Sequence, residues 1–281
     1  MTVEILPFPN LSESLVEFCK KSQDQFTRLT PEWLAGCFEL DKVLPEQYGW
    51  RLSDVATIQQ QVSVTKDSRE LNRIFWKDQA RNVEAYAIMT FWRGTELVKA
   101  AIRSLNVGEV VTPAVLVRAL LELSATYLVN ANTIEKTLAT LRFPPNTIVT
   151  SKDFEEQVVK MIWGTRLGEP EPHLKQTNVL TLIQKLAKNP KATDLVPKYE
   201  FLCEVAHPNV IGNSRYWSQV ERVNPDGSKM LSMSRSARGE HSAQILEATL
   251  WGLGWSAGSL RNGFTMIRNG LADVLRKLKE A

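Results

Sequence analysis

Arg118 and Glu122 interrupt an otherwise apolar stretch, Thr-Pro-Ala-Val-Leu-Val-Arg-Ala-Leu-Leu-Glu-Leu-Ser-Ala-Thr-Tyr-Leu-Val-Asn, at 112–130. A helix with no polar face is normally buried, and charges are rarely buried unless paired. Four residues apart, the two lie on one face of a helix, so the spacing predicts a buried ion pair. His207 is the third side chain whose setting allows chemistry. It precedes Pro208, which disfavours helical geometry at the residue before it, so the helix over Tyr-Glu-Phe-Leu-Cys-Glu-Val-Ala is predicted to end at His207. There the helix dipole favours the imidazolium, and Glu204, one turn back, acts in the same direction. A charged imidazole beside Glu122 can serve as a general acid or bind an anion, with Glu204 and Asn209 as further binding candidates. It can equally be a plain helix cap, and the sequence leaves both readings open.

A second group lies downstream. Between Ile211 and Gly239, five basic residues, Arg215, Arg222, Lys229, Arg235 and Arg238, stand against two acidic ones, Glu221 and Asp226, with Tyr216 and Trp217 among them. Basic groups with aromatics can hold single-stranded nucleic acid through phosphate contacts and base stacking; a solvated hairpin is the plainer alternative. Arg235-Ser-Ala-Arg238-Gly-Glu-His241 sits at the entry to the last helix, where an anion can bind. Glu204-x-x-His207 is half of a carboxylate di-iron motif, but no second Glu-x-x-His follows. Cys19, Cys37 and Cys203 have no metal-type spacing and read as free thiols. No phosphate-binding, dinucleotide-binding or serine-hydrolase glycine motif occurs. Neither a metal nor a cofactor is expected.

The elements that must position these groups are helical. A Ser12 start with Leu15, Phe18, Cys19 and Phe26 predicts a first helix over about 12–29, and Thr30-Pro31-Glu32 predicts the start of a second. From Asp67 to Leu105 there is no proline and apolar residues recur at helical spacing, which predicts one long helix. Further helices are predicted over 112–130, 151–163, 177–188, 194–207 and 240–279. Asn224-Pro225-Asp226-Gly227 predicts the turn of a β-hairpin over about 215–235. The last helix carries Gly252, Gly254, Gly258, Gly263 and Gly270, which lower helix propensity and point to close approach of a neighbour. The expectation is an all-α multi-helix bundle with one inserted hairpin: N-terminal helices over 1–65 packed on a main bundle over 66–281, a single domain overall. At 281 residues, with 43% hydrophobic and 23% charged residues, the chain reads as an ordinary soluble globular protein. A net charge of +3 does not by itself imply nucleic acid. With no basic segment leading into an apolar stretch at the N-terminus, and with charges inside both apolar helices, a cytoplasmic location without a membrane partner is expected.

The pairing of Arg118-Ala-Leu-Leu-Glu122 with a later Glu204-Val-Ala-His207-Pro208-Asn209 resembles a group of uncharacterised bacterial all-helical proteins that carry an Arg-x-x-x-Glu helix and a helix ending in His-Pro. That group is distantly similar to the HEPN superfamily, helical bundles that include ribonucleases of toxin and phage-defence systems. The likeness covers about residues 67–212. Catalytic HEPN proteins place an arginine four to six intervening residues before a histidine, and before His207 those positions are Leu202, Phe201 and Glu200. Arg166…His173 and Arg235…His241 fit the spacing, but matches of this kind arise by chance in a chain with 17 arginines. The resemblance therefore implies a non-catalytic HEPN-like interaction module linked to RNA or to a defence system. Its partner would be RNA or a protein, a second copy included. The alternative is a metal-independent ribonuclease in which Arg118 holds a phosphate, His207 transfers a proton and Glu122 orients one of them.

Overall fold

Asp24, and not Thr30, starts the second helix. A computed structural model describes residues 8–51, 55–234 and 242–280. In it the first helix, α1 (Glu13–Lys21), ends where Ser22 N–H bonds to the Cys19 carbonyl. Asp24 Oδ1 then accepts from the Thr27 amide at 2.9 Å, which caps α2 (Gln25–Val43). The expected helix over 12–29 is thus two pieces, and Pro31 falls inside α2 although it removes one N–H from the ladder. Thr30 is buried there, with its hydroxyl bonded to the carbonyls of Phe26 and Leu250.

The remaining elements keep mostly to their expected bounds, although α5 runs on from the expected end at 130 to Thr140. They are α3 (Val55–Ser63), α4 (Ser68–Asn106), α5 (Val111–Thr140), α6 (Lys152–Trp163), α7 (Val179–Ala187), α8 (Leu195–Ala206), strands β1 (Ser218–Val223) and β2 (Lys229–Met233), and α9 (Ser242–Glu280). The chain is an all-α bundle with one inserted antiparallel hairpin. The stretch Arg215–Trp217, expected as strand, instead follows α8 as a helical turn, and β1 begins at Ser218.

The residues group into two compact units, each drawn from three separated stretches. Unit 1 comprises residues 1–42, 93–125 and 183–259; unit 2 comprises 43–92, 126–182 and 260–281. In unit 1 the glycines of α9 allow close packing: a Cβ at Gly252 would lie 2.6 Å from Val117 Cγ1, and one at Gly258 2.6 Å from the Trp33 ring. In unit 2, Gly263 sits against Tyr127, while Arg261, Asn262, Arg268 and Asn269 are exposed. Trp76, Phe91, Tyr127, Ile134 and Leu138 form much of the unit 2 core.

Unit 2 also holds the proline-bearing segment between α5 and α6. Asn72 of α4 donates to the Thr147 carbonyl at 2.8 Å and accepts from the Val149 amide at 2.6 Å. Trp76 Nε1 donates to the Val149 carbonyl at 2.8 Å, and Ser151 then caps α6 through the Phe154 amide.

The helix α5 is long and apolar enough to cross a membrane, and half of its most apolar window is buried inside the protein. Ala114, Val117, Leu120, Leu121 and Ala125 form its buried side in unit 1. Val115 and Ala119 are exposed, and they mark a wet stripe along the same helix.

Candidate functional site

Arg118 and Glu122 lie on that stripe. Their side chains remain 34% and 31% exposed, so the pair is half-buried where the apolar sequence had predicted full burial. Arg118 Nη2 sits 3.1 Å from Glu122 Oε1. The helix α8, in the same unit, completes the cluster with two residues the sequence reading missed. Tyr199 donates its hydroxyl to Glu122 Oε1 at 2.8 Å, and Arg118 Nε donates to Cys203 Sγ at 3.2 Å. The two helices meet through matched positions, 118 and 122 on one, 199 and 203 on the other, because residues four apart share a helix face.

The electrostatics follow from this geometry. Burial acts to lower the Arg118 pKa, but the bond to Cys203 and the Glu122 carboxylate outweigh it and hold the guanidinium above its ordinary value. Burial, reinforced by the bonds to Glu122 and Cys203, pushes the Tyr199 phenol well above the usual tyrosine range. The cluster therefore holds Tyr199 as a neutral donor and Arg118 as a fixed cation at any physiological pH.

His207 is at the C-cap of α8, where the sequence placed it, with its amide bonded to the Cys203 carbonyl. Its side chain is exposed and makes no hydrogen bond or ion pair among the described residues. Glu204 is also exposed, and it is Tyr199 and Cys203 that bond to Glu122 and Arg118. Glu204 and Asn209 serve the helix end: Asn209 Nδ2 donates to Glu204 Oε2 at 2.5 Å, and Asn209 Oδ1 accepts from the Gly212 amide at 3.0 Å. The structure thus brings together Arg118 and Glu122 of the expected trio, with a phenol and a thiol as their neighbours. Among the described residues, no group of three or more His, Cys, Asp or Glu is arranged to hold a metal ion.

Of the second group, Tyr216 is buried and Trp217 is exposed, their rings 4.4 Å apart edge to face. One aromatic of the pair therefore belongs to the core. Arg235, Arg238 and His241, and the side chain of Arg215, lie outside the described residues.

The hairpin itself carries a feature absent from the sequence reading. Val220 pairs with Leu231 and Arg222 with Met230, so Glu221 is an extra residue, a β-bulge. Cross-strand partners share a face and successive residues alternate. Without the bulge, Val220 and Val223 would point to opposite sides. With it, Val223 pairs with Lys229 and shares a face with Val220, Leu231 and Met233. Those four apolar side chains are 43%, 59%, 49% and 67% exposed. The turn is held by Gly227 at φ 82°, by its amide bond to the Asn224 carbonyl and by the Asp226–Ser228 hydrogen bonds.

No protein-family model, no curated protein and no solved structure matches the chain.

Proposed function

We propose that this chain is a non-catalytic interaction module that meets a partner protein with the apolar face of its β1–β2 hairpin. One observation carries the reading: the bulge at Glu221 gathers Val220, Val223, Leu231 and Met233 on one solvent-facing side. Exposed apolar groups scattered singly are ordinary, but a contiguous set marks an interaction surface. A two-stranded ribbon is also marginal in water unless something packs on it, and among the described residues no third strand joins this one. A partner that covers the face supplies the missing layer.

The Arg118–Glu122–Tyr199–Cys203 cluster is, in this reading, a register device that fixes α8 against α5. A general acid needs to be held at a defined position, and among the described residues the His207 imidazole has no hydrogen bond to orient it. The HEPN-like kinship of the Arg-x-x-x-Glu helix and the His-Pro helix end, and with it a place in a bacterial defence system, is part of the same proposal and rests on those motifs.

A photo-crosslinking residue placed at Leu231, and separately at Ser232 on the opposite face, tests the reading in cells. The expected result is an adduct with one discrete protein from position 231 and none from 232; an adduct of twice the chain mass identifies the partner as a second copy. Adducts from both positions, from neither, or with RNA overturn it. So does cleavage of a mixed RNA pool by the wild-type chain that is lost in His207→Ala.

A further inference from the structure

Unit 2 contains a cleft of about 620 Å³, in the range of about 300–1,000 Å³ typical of small-molecule sites. One part of its lining is a row of cations on α4. Arg73, Lys77 and Arg81 recur every fourth residue, so they share a face and span about 12 Å. Cations at this spacing repel one another, and the row is only partly neutralised from within. Glu70 pairs with Arg73 at 2.8 Å and Asp78 with Arg81 at 3.4 Å. Lys77, in the middle and exposed, makes no side-chain hydrogen bond or ion pair among the described residues.

The rest of the lining decides what kind of anion fits. Glu70 and Glu84 bracket the row in sequence, and Glu84 is already engaged by the Tyr48 hydroxyl at 2.8 Å. A polyanion running past either end would meet a carboxylate, which disfavours a nucleic-acid strand. With Glu70 on Arg73 and Asp78 on Arg81, Lys77 is the cation of the row with no acidic side chain paired to it among the described residues. Val64, Ile74, Leu271 and Leu275 supply an aliphatic wall, and Val64 and Leu275 are exposed on it.

We propose that this cleft binds a small anionic amphiphile, one carboxylate or phosphate head on an aliphatic chain. The head meets Lys77 between Arg73 and Arg81, and the chain covers Val64, Leu271 and Leu275. The site is independent of the hairpin, which belongs to unit 1.

Calorimetric titration of the full chain with dodecanoate, below its micellar concentration, tests the proposal. Dodecyl phosphate is a second arm, with dodecyltrimethylammonium and inorganic phosphate as controls. One dodecanoate or one dodecyl phosphate is expected to bind per chain, and the tighter of the two names the head. Dodecyltrimethylammonium should not bind. Lys77→Ala should weaken binding about tenfold or more, the usual effect of losing a hydrogen bond to a charged group, and Leu275→Ser should weaken it separately. Lys77 is exposed on a helix surface, so circular dichroism should show an unchanged fold for both the parent and the alanine variant. The proposal fails if neither anionic amphiphile binds saturably, if Lys77→Ala binds as the parent does, or if the cationic amphiphile binds equally. It fails too if inorganic phosphate alone binds as tightly, since the aliphatic wall would then take no part.

Discussion

Alanine in place of Gly252 and of Gly270 should shift stability in opposite directions, although the substitution and the helix are the same. At Gly252 the new Cβ would lie 2.6 Å from Val117 Cγ1, with Leu121 Cδ1 at 3.3 Å and Leu202 Cδ1 at 3.5 Å. Carbon atoms pack best at about 3.5–4.0 Å, so the first contact is about 1 Å too close. Val117, Leu121 and Leu202 are fully buried, and Val117 is β-branched with few rotamers to escape into. Overpacking of this kind costs about 1–3 kcal/mol, against a helix-propensity gain of about 1 kcal/mol for Gly→Ala. The net expectation is a loss of roughly 1–2 kcal/mol, taking the upper half of the overpacking range. At Gly270 the nearest atom is Leu138 Cδ1 at 3.3 Å, which needs to give only slightly. There the propensity gain dominates, and the variant should be more stable by about 0.5–1 kcal/mol. Urea unfolding followed by circular dichroism measures both, and a midpoint for Gly252→Ala at or above the parent's would refute the close approach of α5 and α9.

Three further outcomes follow from the described contacts. Arg118→Ala should cost about 1 kcal/mol and not the 3–5 kcal/mol of an orphaned buried charge, because Glu122 keeps the Tyr199 bond and a third of its surface in water; a melting-point loss equivalent to 3 kcal/mol would show the pair to be dry. Deleting Glu221 should leave the hairpin's apolar face intact, since the Val220–Leu231 and Val223–Lys229 pairings survive removal of the extra residue; crosslinking from position 231 that disappears in the deletion variant would contradict this. Stability should fall as pH rises through about 11 to 12. Burial pushes the Cys19 thiol up to about 11 and the Tyr86 phenol up to about 12, and burial together with the Glu84 bond pushes Tyr48 to about 12. The folded state keeps these protons after the unfolded chain has lost them, so the stabilisation is complete below the ordinary values of 9.0 and 10.0 and is lost above the raised ones. Tyr86→Phe should flatten the alkaline slope, and an unchanged slope in that variant would count against the assignment.

The long helices, the start of α6 near residue 151 and the Asn-Pro-Asp-Gly turn were legible because each rests on local chemistry. The division near residue 24 was misread because Thr30-Pro31-Glu32 is the stronger local signal, whereas the helix runs through it with Thr30 buried and bonded to the Phe26 and Leu250 carbonyls. The partners of Arg118 and Glu122 were missed for a different reason. The His-Pro helix end drew the choice to Glu204 and His207, which are exposed, while Tyr199 and Cys203, four apart and further back on α8, make the bonds. Which face of a helix turns inward depends on packing across distant segments, and α8 carries apolar residues on more than one side. The bulge left a trace in the three-residue spacing of Val220 and Val223, which breaks strand alternation.

The amide of Asn72 has a consequence of its own. By donating to one carbonyl and accepting from an amide two residues on, it stands in for a rung of a β-ladder, so the segment carrying Pro144 and Pro145 is fastened to α4 without a neighbouring strand. Aspartate, nearly the same size, would offer only acceptors and turn that clasp against the Thr147 carbonyl. The entrance to α6 therefore hangs on two side-chain nitrogens of α4, those of Asn72 and Trp76.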